Sequence, residues 1–335
     1  MEKHIWEDPK IIKVNKEDGH VIAMPFDDTE TALSGEESKY KLSLNGMWKF
    51  YWQRGLQNQP ADFEKTDFND SEWGEIKVPS VWQTEGYSVP YYYASTFPKA
   101  ISRSKSKIPK IYHNLQEIGF YRKSFELDKE WDGREIFIHF GACKAGLEVY
   151  VNGNYVGYSQ GSMTPHEFNI TKFVKTGEEN IVCAKVYRYT DGTYLEDQDM
   201  WWLCGIYREV YVFAESPVCI RDFFFRTKFD TFYKDAVASL DVYVENYGSV
   251  NTDATCKAYL ISDTGREIEI GEETRKLNHN RTDFEFKAEI KNPKKWSAET
   301  PNLYTLVIII SDGDKIYAVK TYEVGFKQVE IKGEK

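Results

Sequence analysis

Short runs in which apolar and polar residues alternate recur along the chain, and nearly all have the two-residue period of a β-strand. In the first two thirds such runs cover 119–127, 136–140, 147–151, 154–158, 181–189 and 208–213. Two of them are separated by Asn152-Gly153, a pair that supplies the positive φ angles of a two-residue hairpin turn. Because helical periodicity is almost absent, the pattern predicts a β-sandwich or jelly roll.

A second series of runs follows the polar, proline-containing segment Glu215-Ser-Pro217, and it covers 222–228, 239–245, 254–261, 284–290, 303–310 and 317–324. Six or seven short strands in roughly a hundred residues are typical of an immunoglobulin-like sandwich, here without the Cys-Trp-Cys framework of antibody domains. We therefore predict an all-β protein. An extended arm would cover residues 1–40, a jelly-roll domain 41–216 and an immunoglobulin-like domain 217–330.

Composition and charge narrow the function classes. Aromatic residues make up 16% of the 335 residues, which favours strands. A formal net charge of −10 argues against nucleic acid and anionic membranes as partners. The five cysteines are widely separated and lack metal-ligand spacing, which indicates a reducing compartment. Because no signal-peptide core and no membrane-spanning apolar run is present, we expect a cytoplasmic protein.

Residues suited to binding or catalysis are most concentrated in the segment between the runs that end at Tyr189 and begin at Arg208. We call residues 191–202 the acidic loop, because they contain two tryptophans, a tyrosine and four carboxylates: Asp191, Glu196, Asp197 and Asp199. Carboxylates beside aromatic faces suit sugar hydroxyls next to a stacking platform, or a hard cation. A merely solvated loop with its tryptophans in the core is the alternative. Glu196 and Asp199 are a candidate glycosidase pair, but a single sandwich loop seldom builds the dry pocket that a general acid needs.

Several other residues allow both a functional and a structural interpretation. Gln160 and Asp191 are candidate oxygen ligands, and turn-stabilising side chains are the competing interpretation. His139 is either a ligand or a hydrogen-bonded histidine within a sheet. Trp201 and Trp202 are equally suited to a binding surface and to the core, whereas the core is the simplest place for four others: Trp48, Trp52, Trp82 and Trp131.

The acidic loop and several further motifs resemble the bacterial β-galactosidases of glycoside hydrolase family 2. The loop motif is Asp191-Gly-Thr-Tyr-Leu-Glu-Asp-Gln-Asp-Met-Trp201, followed by Gly205-Ile-Tyr-Arg208. The others are Trp6-Glu-Asp-Pro9, Leu44-Asn-Gly-x-Trp48-x-Phe50, Val78-Pro-Ser-x-Trp82-Gln, Gly119-x-Tyr121, Val151-Asn-Gly-x-x-Val-Gly-Tyr158-x-Gln160 and Asn292-Pro-x-x-Trp296-Ser-Ala-Glu-x-Pro-Asn-Leu-Tyr304. The resemblance covers essentially the whole chain.

This resemblance implies a galactose-binding-like jelly roll, then an immunoglobulin-like domain, then a TIM barrel that carries both catalytic glutamates. The chain has no such barrel, so we expect no catalytic residue in it and no activity from it alone. The implied parent is a retaining β-galactosidase. The intramolecular TIM barrel would be the partner of these domains, and a β-galactoside would be the substrate, bound through that barrel.

The resemblance also assigns individual residues. Asp199 corresponds to an aspartate that contacts galactose and a sodium ion shared with the barrel, and Trp201 lies beside it as a substrate-binding residue. Gln160, Asp191 and Asp8 correspond to a peripheral magnesium site, although Ile5 replaces a carboxylate of the family pattern. Magnesium and sodium are thus implied for the full-length enzyme, with no ion required for this chain to fold.

Two departures from the family bear on specificity and assembly. Ala94 stands where the family has an asparagine that contacts galactose, which favours a different sugar as an alternative. The second-domain hairpin is expected to be short between Gly265 and Asn280, so a homo-oligomer is possible but the family's tetramer does not follow. A stand-alone carbohydrate-binding module is the competing class.

Overall fold

The computed structural model describes residues 4–90, 92, 110–196, 199–248, 250–331 and 333. Within these residues there are twenty β-strands and two short α-helices, α1 (Thr29–Leu33) and α2 (Thr193–Glu196). Short 3-10 helices cover Ile5–Glu7, Lys129–Trp131 and Thr171–Phe173. The strands are β1 (Lys13–Val14), β2 (Lys41–Ser43), β3 (Gly46–Arg54), β4 (Gly74–Val78), β5 (Glu117–Glu126), β6 (Glu135–Phe140), β7 (Cys143–Lys144), β8 (Gly146–Val151), β9 (Asn154–Gln160), β10 (His166–Asn169), β11 (Glu179–Tyr187), β12 (Gly205–Ile206), β13 (Val210–Glu215), β14 (Val218–Phe229), β15 (Ala236–Asn246), β16 (Asp253–Ile261), β17 (Glu267–Lys276), β18 (Asn280–Ile290), β19 (Tyr304–Asp312) and β20 (Lys315–Val324). The prediction of an all-β protein is confirmed.

The chain divides into two compact units. The first unit consists of residues 1–19, 42–132 and 136–213, and the second of residues 20–41, 133–135 and 214–335. The predicted arm is therefore divided between the units, because its described residues 4–19 belong to the first unit and residues 20–40 to the second. Among the described residues, no helix combines the length and the apolar character that crossing a membrane requires.

The first unit is built on a seven-stranded antiparallel sheet with the order β1-β9-β8-β11-β5-β3-β4. A four-stranded sheet follows the order β10-β6-β13-β2, and β12 pairs with β7. The predicted hairpin is β8–β9, and its turn residues Asn152 and Gly153 have φ angles of 49° and 80°. Residues 117–122 of β5 are all buried, so both faces of this central strand are covered and its run of aromatic residues is explained.

Gly119 on β5 shows how closely this core is packed. A Cβ atom at this position would lie 2.6 Å from Cζ2 of Trp82 and 2.8 Å from Cε2 of Phe50. Both rings are fully buried, and the Trp82 indole donates a 2.5 Å hydrogen bond to the Tyr121 hydroxyl, so neither ring has room to move. Only glycine allows this approach.

We expect Gly119→Ala to lower the free energy of unfolding of the first unit by about 1–3 kcal/mol through overpacking. Urea denaturation followed by tryptophan fluorescence measures the change. Gly19→Ala is the matched control, because a Cβ there has no heavy atom within 4 Å. Equal stability of the two variants would contradict the packing argument.

The second unit pairs a three-stranded sheet, β14-β15-β18, with a four-stranded sheet, β17-β16-β19-β20, and all of its strand pairs are antiparallel. A continuous apolar core lies between them and includes Leu240, Val242, Phe284 and Leu306. Cys219 and Cys256 are buried in this unit as free thiols, in keeping with the absence of an antibody-type framework. The predicted immunoglobulin-like sandwich is confirmed.

The sequence pattern missed strand β17. Only Ile270 is fully buried along this strand, because β17 lies at the edge of its sheet and most of its side chains face solvent. Edge strands carry charged residues, which obscures their periodicity. The segment in which we expected a shortened hairpin, 265–280, thus consists of this strand and the turns on either side of it.

Candidate functional site

The acidic loop leaves the sheet after β11 and turns immediately into the four-residue helix α2. The Thr190 amide donates a 2.8 Å hydrogen bond to Oγ1 of Thr193, which closes the turn. At the end of α2, the carboxylate of Glu196 accepts hydrogen bonds from the amide of Ser162 at 2.8 Å and from its hydroxyl at 2.6 Å. Both oxygens of Glu196 are therefore engaged in holding the loop to the segment after β9.

Asp199 and Trp201 form an exposed surface that we call the Asp199 wall. Asp199 is exposed and has a φ angle of 57°, a left-handed conformation that aspartate tolerates better than most residues. Its Oδ1 accepts a hydrogen bond from the hydroxyl of Tyr92. Trp201 is 59% exposed, and its ring centroid lies 5.9 Å from that of Tyr92. A carboxylate acceptor beside two aromatic rings is suited to binding a sugar by hydrogen bonds and stacking.

The adjacent tryptophan has the opposite environment. Trp202 is 3% exposed and packs against Tyr189, with 5.9 Å between the ring centroids. The open question about the two tryptophans is thus answered by the fold, with Trp201 at the surface and Trp202 in the core. Of the other four, Trp48, Trp82 and Trp131 are buried as expected, whereas Trp52 is only partly buried.

Arg188 supports the base of the acidic loop, and the sequence interpretation overlooked it. Its guanidinium lies 2.8 Å from Oε1 of Glu117 and also donates to the hydroxyl of Ser88. Nη2 donates to the carbonyl of Val89 at 3.1 Å and to that of Trp202 at 3.4 Å. The Arg188 side chain is only 2% exposed. The one available signal was a charged residue inside the otherwise apolar run 181–189.

Two of the three residues predicted for a peripheral magnesium site come together. Nε2 of Gln160 donates a 2.8 Å hydrogen bond to Oδ1 of Asp191, and Oε1 of Gln160 accepts from the Gly192 amide at 3.3 Å. Asp8 follows the first 3-10 helix and accepts from the Lys10 amide at 3.3 Å. Carboxylate and carboxamide oxygens fit a hard cation, which would require the Gln160 amide to turn its oxygen towards Asp191.

His139 has a structural environment. It is buried, with Nδ1 3.0 Å from Oε2 of Glu167, and its ring stacks on Tyr211 with 4.6 Å between the centroids. This arrangement fits the interpretation of a hydrogen-bonded sheet histidine. Two further residues named from the sequence, Asp197 and Ala94, lie outside the described residues.

A separate cavity of about 650 Å³ is lined by residues 54–57 and 110–114. Among the residues that the structure describes, its lining contains no carboxylate and no residue of the acidic loop. The described lining of this cavity is therefore separate from the Asp199 wall.

These features define the chain as a protein of two antiparallel β-sandwiches, the first of which carries an exposed loop of carboxylate and aromatic residues. Comparison with known proteins gives the family. Residues 42–216 match the model of the sugar binding domain of glycosyl hydrolases family 2, and residues 218–327 match a second model of glycosyl hydrolases family 2. The chain therefore belongs to glycosyl hydrolase family 2, as the sequence motifs indicated.

Curated relatives are β-galactosidases. The chain is 34% identical over 329 residues to that of Priestia megaterium, which covers 97% of this chain and 32% of the relative. It is 33% identical to that of Streptococcus thermophilus, over 97% of this chain and 31% of the relative. The chain thus spans about a third of the length of these relatives.

Solved structures support the fold. A β-glucuronidase of Bacteroides uniformis aligns with a TM-score of 0.69 and 21% identity, over 85% of this chain and 32% of that one. A family 2 member from Bacteroides cellulosilyticus aligns with a TM-score of 0.66 and 21% identity, over 86% of this chain and 35% of that one. At this level of identity the likeness concerns the fold alone.

Proposed function

We propose that this chain is the non-catalytic portion of a retaining β-galactosidase that hydrolyses terminal β-D-galactosides. Its two domains support a TIM barrel, and the Asp199 wall forms one side of the sugar pocket. The observation that carries the proposal is the exposure of Asp199 beside Trp201 on a loop whose base is fixed by Arg188. The similarity to β-galactosidases along nearly the whole chain supports it.

The state of the other carboxylates supports a binding role for the loop. Retention in glycoside hydrolysis requires two carboxyl groups about 5–5.5 Å apart, one of them with a raised pKa. Glu196 is engaged by Ser162 and Asp191 by Gln160. Because Asp199 is exposed, it lacks the dry surroundings of a general acid. The catalytic pair is therefore assigned to the barrel.

The proposal includes two cations. Asp199 would share a sodium ion with barrel residues, and Asp191, Gln160 and Asp8 would hold magnesium. A hard cation bound at such oxygens supplies fixed positive charge that orients oxygen ligands. The hydrogen bonds of Asp191 with Gln160 and of Glu196 with Ser162 support the expectation that the chain folds without either ion.

The proposal is tested by Asp199→Asn in the full-length polypeptide that contains this chain. We expect kcat/KM for a nitrophenyl β-galactoside to fall about a hundredfold, because a charged acceptor for the sugar is lost from the pocket. Asp67→Asn removes another exposed carboxylate of the first unit and should leave kcat/KM unchanged.

Four outcomes would contradict the proposal. Wild-type kcat/KM in the Asp199→Asn enzyme would remove the Asp199 wall from the pocket. Hydrolysis by the isolated chain, abolished by Glu196→Gln, would place catalysis in the acidic loop. Micromolar binding of galactose or lactose to the isolated chain, measured by calorimetry, would favour a stand-alone binding module. Preference of the full-length enzyme for another glycoside would indicate a related β-glycosidase, as the replacement at Ala94 suggests.

A further inference from the structure

Three potential metal ligands converge near the start of the first unit. His4, Glu7 and His113 each offer one ligand atom, and these atoms all lie within 4.8 Å of one another. Nε2 of His113 is 3.0 Å from Oε2 of Glu7. Glu7 is 13% exposed at its side chain and His113 is 42% exposed, so an ion has access from solvent.

Buried Trp6 holds the two imidazoles in place. The His4 ring stacks on the indole at 4.9 Å with 7° between the planes, and the His113 ring meets it edge-on at 5.5 Å. Trp6 is 2% exposed and packs in a core cluster with Ile111, and its carbonyl accepts a 2.9 Å hydrogen bond from the Asp191 amide. The three ligand side chains are thus carried by segments that the core already fixes, which lowers the ordering cost of binding.

Simpler interactions account for only part of this arrangement. Ring packing explains the orientation of the His4 imidazole, and an ion pair explains the contact between Glu7 and His113. A single divalent metal ion would engage all three donor atoms together. Donor atoms bound to one such ion lie about 3–4 Å apart, so small side-chain rotations bring the three groups into coordination distance.

We propose that His4, Glu7 and His113 form a binding site for a divalent transition metal ion of the zinc type. Two imidazole nitrogens and one carboxylate are a known zinc ligand set, with water in the fourth position. Imidazole favours zinc over magnesium, so the site differs in chemistry from the oxygen set of Asp191, Gln160 and Asp8. The bound ion ties residues 4–7 to the segment that follows residue 109. This inference does not depend on the proposed function.

Titration of the metal-free chain with zinc sulfate in a calorimeter tests the proposal. We expect one ion per chain, a thermal midpoint that rises with zinc concentration, and no competition from millimolar magnesium. Cobalt(II) should give the visible absorption of a low-coordinate nitrogen–oxygen site. Replacing a residue that only hydrogen-bonds to a metal ligand usually lowers metal affinity about ten- to hundredfold. Removing a ligand itself should cost more, so His113→Gln and Glu7→Gln should each weaken zinc binding about a hundredfold or more.

His279→Gln is the matched control, because it removes an exposed histidine from the second unit. Its zinc affinity should equal that of the unaltered chain. His4→Gln is a second test at the most exposed ligand, where a folding defect is not expected. The proposal is overturned if zinc affinity in the His4, Glu7 and His113 variants equals that of the control, or if magnesium displaces zinc.

Discussion

Replacing Arg188 by methionine is expected to lower the free energy of unfolding of the first unit by about 3–5 kcal/mol, the cost of leaving a buried charge unpaired. The partner left behind is Glu117, whose side chain is 11% exposed and lies 2.8 Å from the guanidinium. The substitution also removes the hydrogen bonds to the carbonyls of Val89 and Trp202. The acidic loop should therefore loosen as well.

Urea denaturation gives the stability, and hydrogen–deuterium exchange of residues 199–204 reports on the loop. Exchange there should accelerate more than exchange in β5, since the loop loses a direct anchor. Lys49→Met is the control, because Lys49 and Glu75 form an exposed pair at 3.4 Å that is worth about 1 kcal/mol or less. The double variant Arg188→Met/Glu117→Gln should recover part of the loss. A loss no larger than that of Lys49→Met would show that Arg188 does not support the loop.

The second large effect is expected in the second unit, where Lys320 and Glu215 form a buried ion pair. Nζ of Lys320 lies 2.6 Å from Oε1 of Glu215, and their side chains are 3% and 0% exposed. Among the described residues, Oε2 of Glu215 has no hydrogen-bond partner, so the contact with Lys320 at Oε1 is important for this buried charge. Lys320→Met should lower the free energy of unfolding of the second unit by about 3–5 kcal/mol.

The double variant Lys320→Met/Glu215→Leu distinguishes the cost of leaving one charge unpaired from the net contribution of the ion pair to stability. Replacing both members of a buried pair by apolar residues is often neutral or stabilising, so its stability should return close to the starting value. Lys257→Met is the control, because Lys257 and Glu272 form a half-exposed pair at 3.4 Å in the same unit. Chemical denaturation measures the free energy of unfolding of the unaltered chain and of the three variants. Equal losses for Lys320→Met and Lys257→Met would contradict the prediction.

Most strands were predictable because a strand with one buried face has apolar and polar residues in alternation. The run 284–290 shows this, since its apolar residues face the core and its charged residues face solvent in β18. Strand β17 was missed because an edge strand with one buried residue shows almost no such alternation. The hairpin at Asn152-Gly153 was predictable because its turn conformation depends on local backbone preferences.

The site was less predictable, because its properties depend on residues distant in sequence. The composition of the acidic loop identified the right segment, and the family motif named Asp199. Neither revealed that Glu196 is bound by Ser162, thirty-four positions earlier, or that Tyr92 contacts Asp199. These contacts exist only once the strands have paired.

The sequence by itself determined the all-β class, the two sandwich domains, the family and the location of the candidate loop, since strand periodicity, turn residues and motifs are local properties of the chain. The tertiary structure decided which parts of the acidic loop are exposed. Adjacent residues Trp201 and Trp202 have the same side chain, yet one is at the surface and the other in the core. Burial and pairing depend on the neighbours that packing supplies, and this dependence also explains why Arg188 and the His4–Glu7–His113 group became visible only in the folded chain.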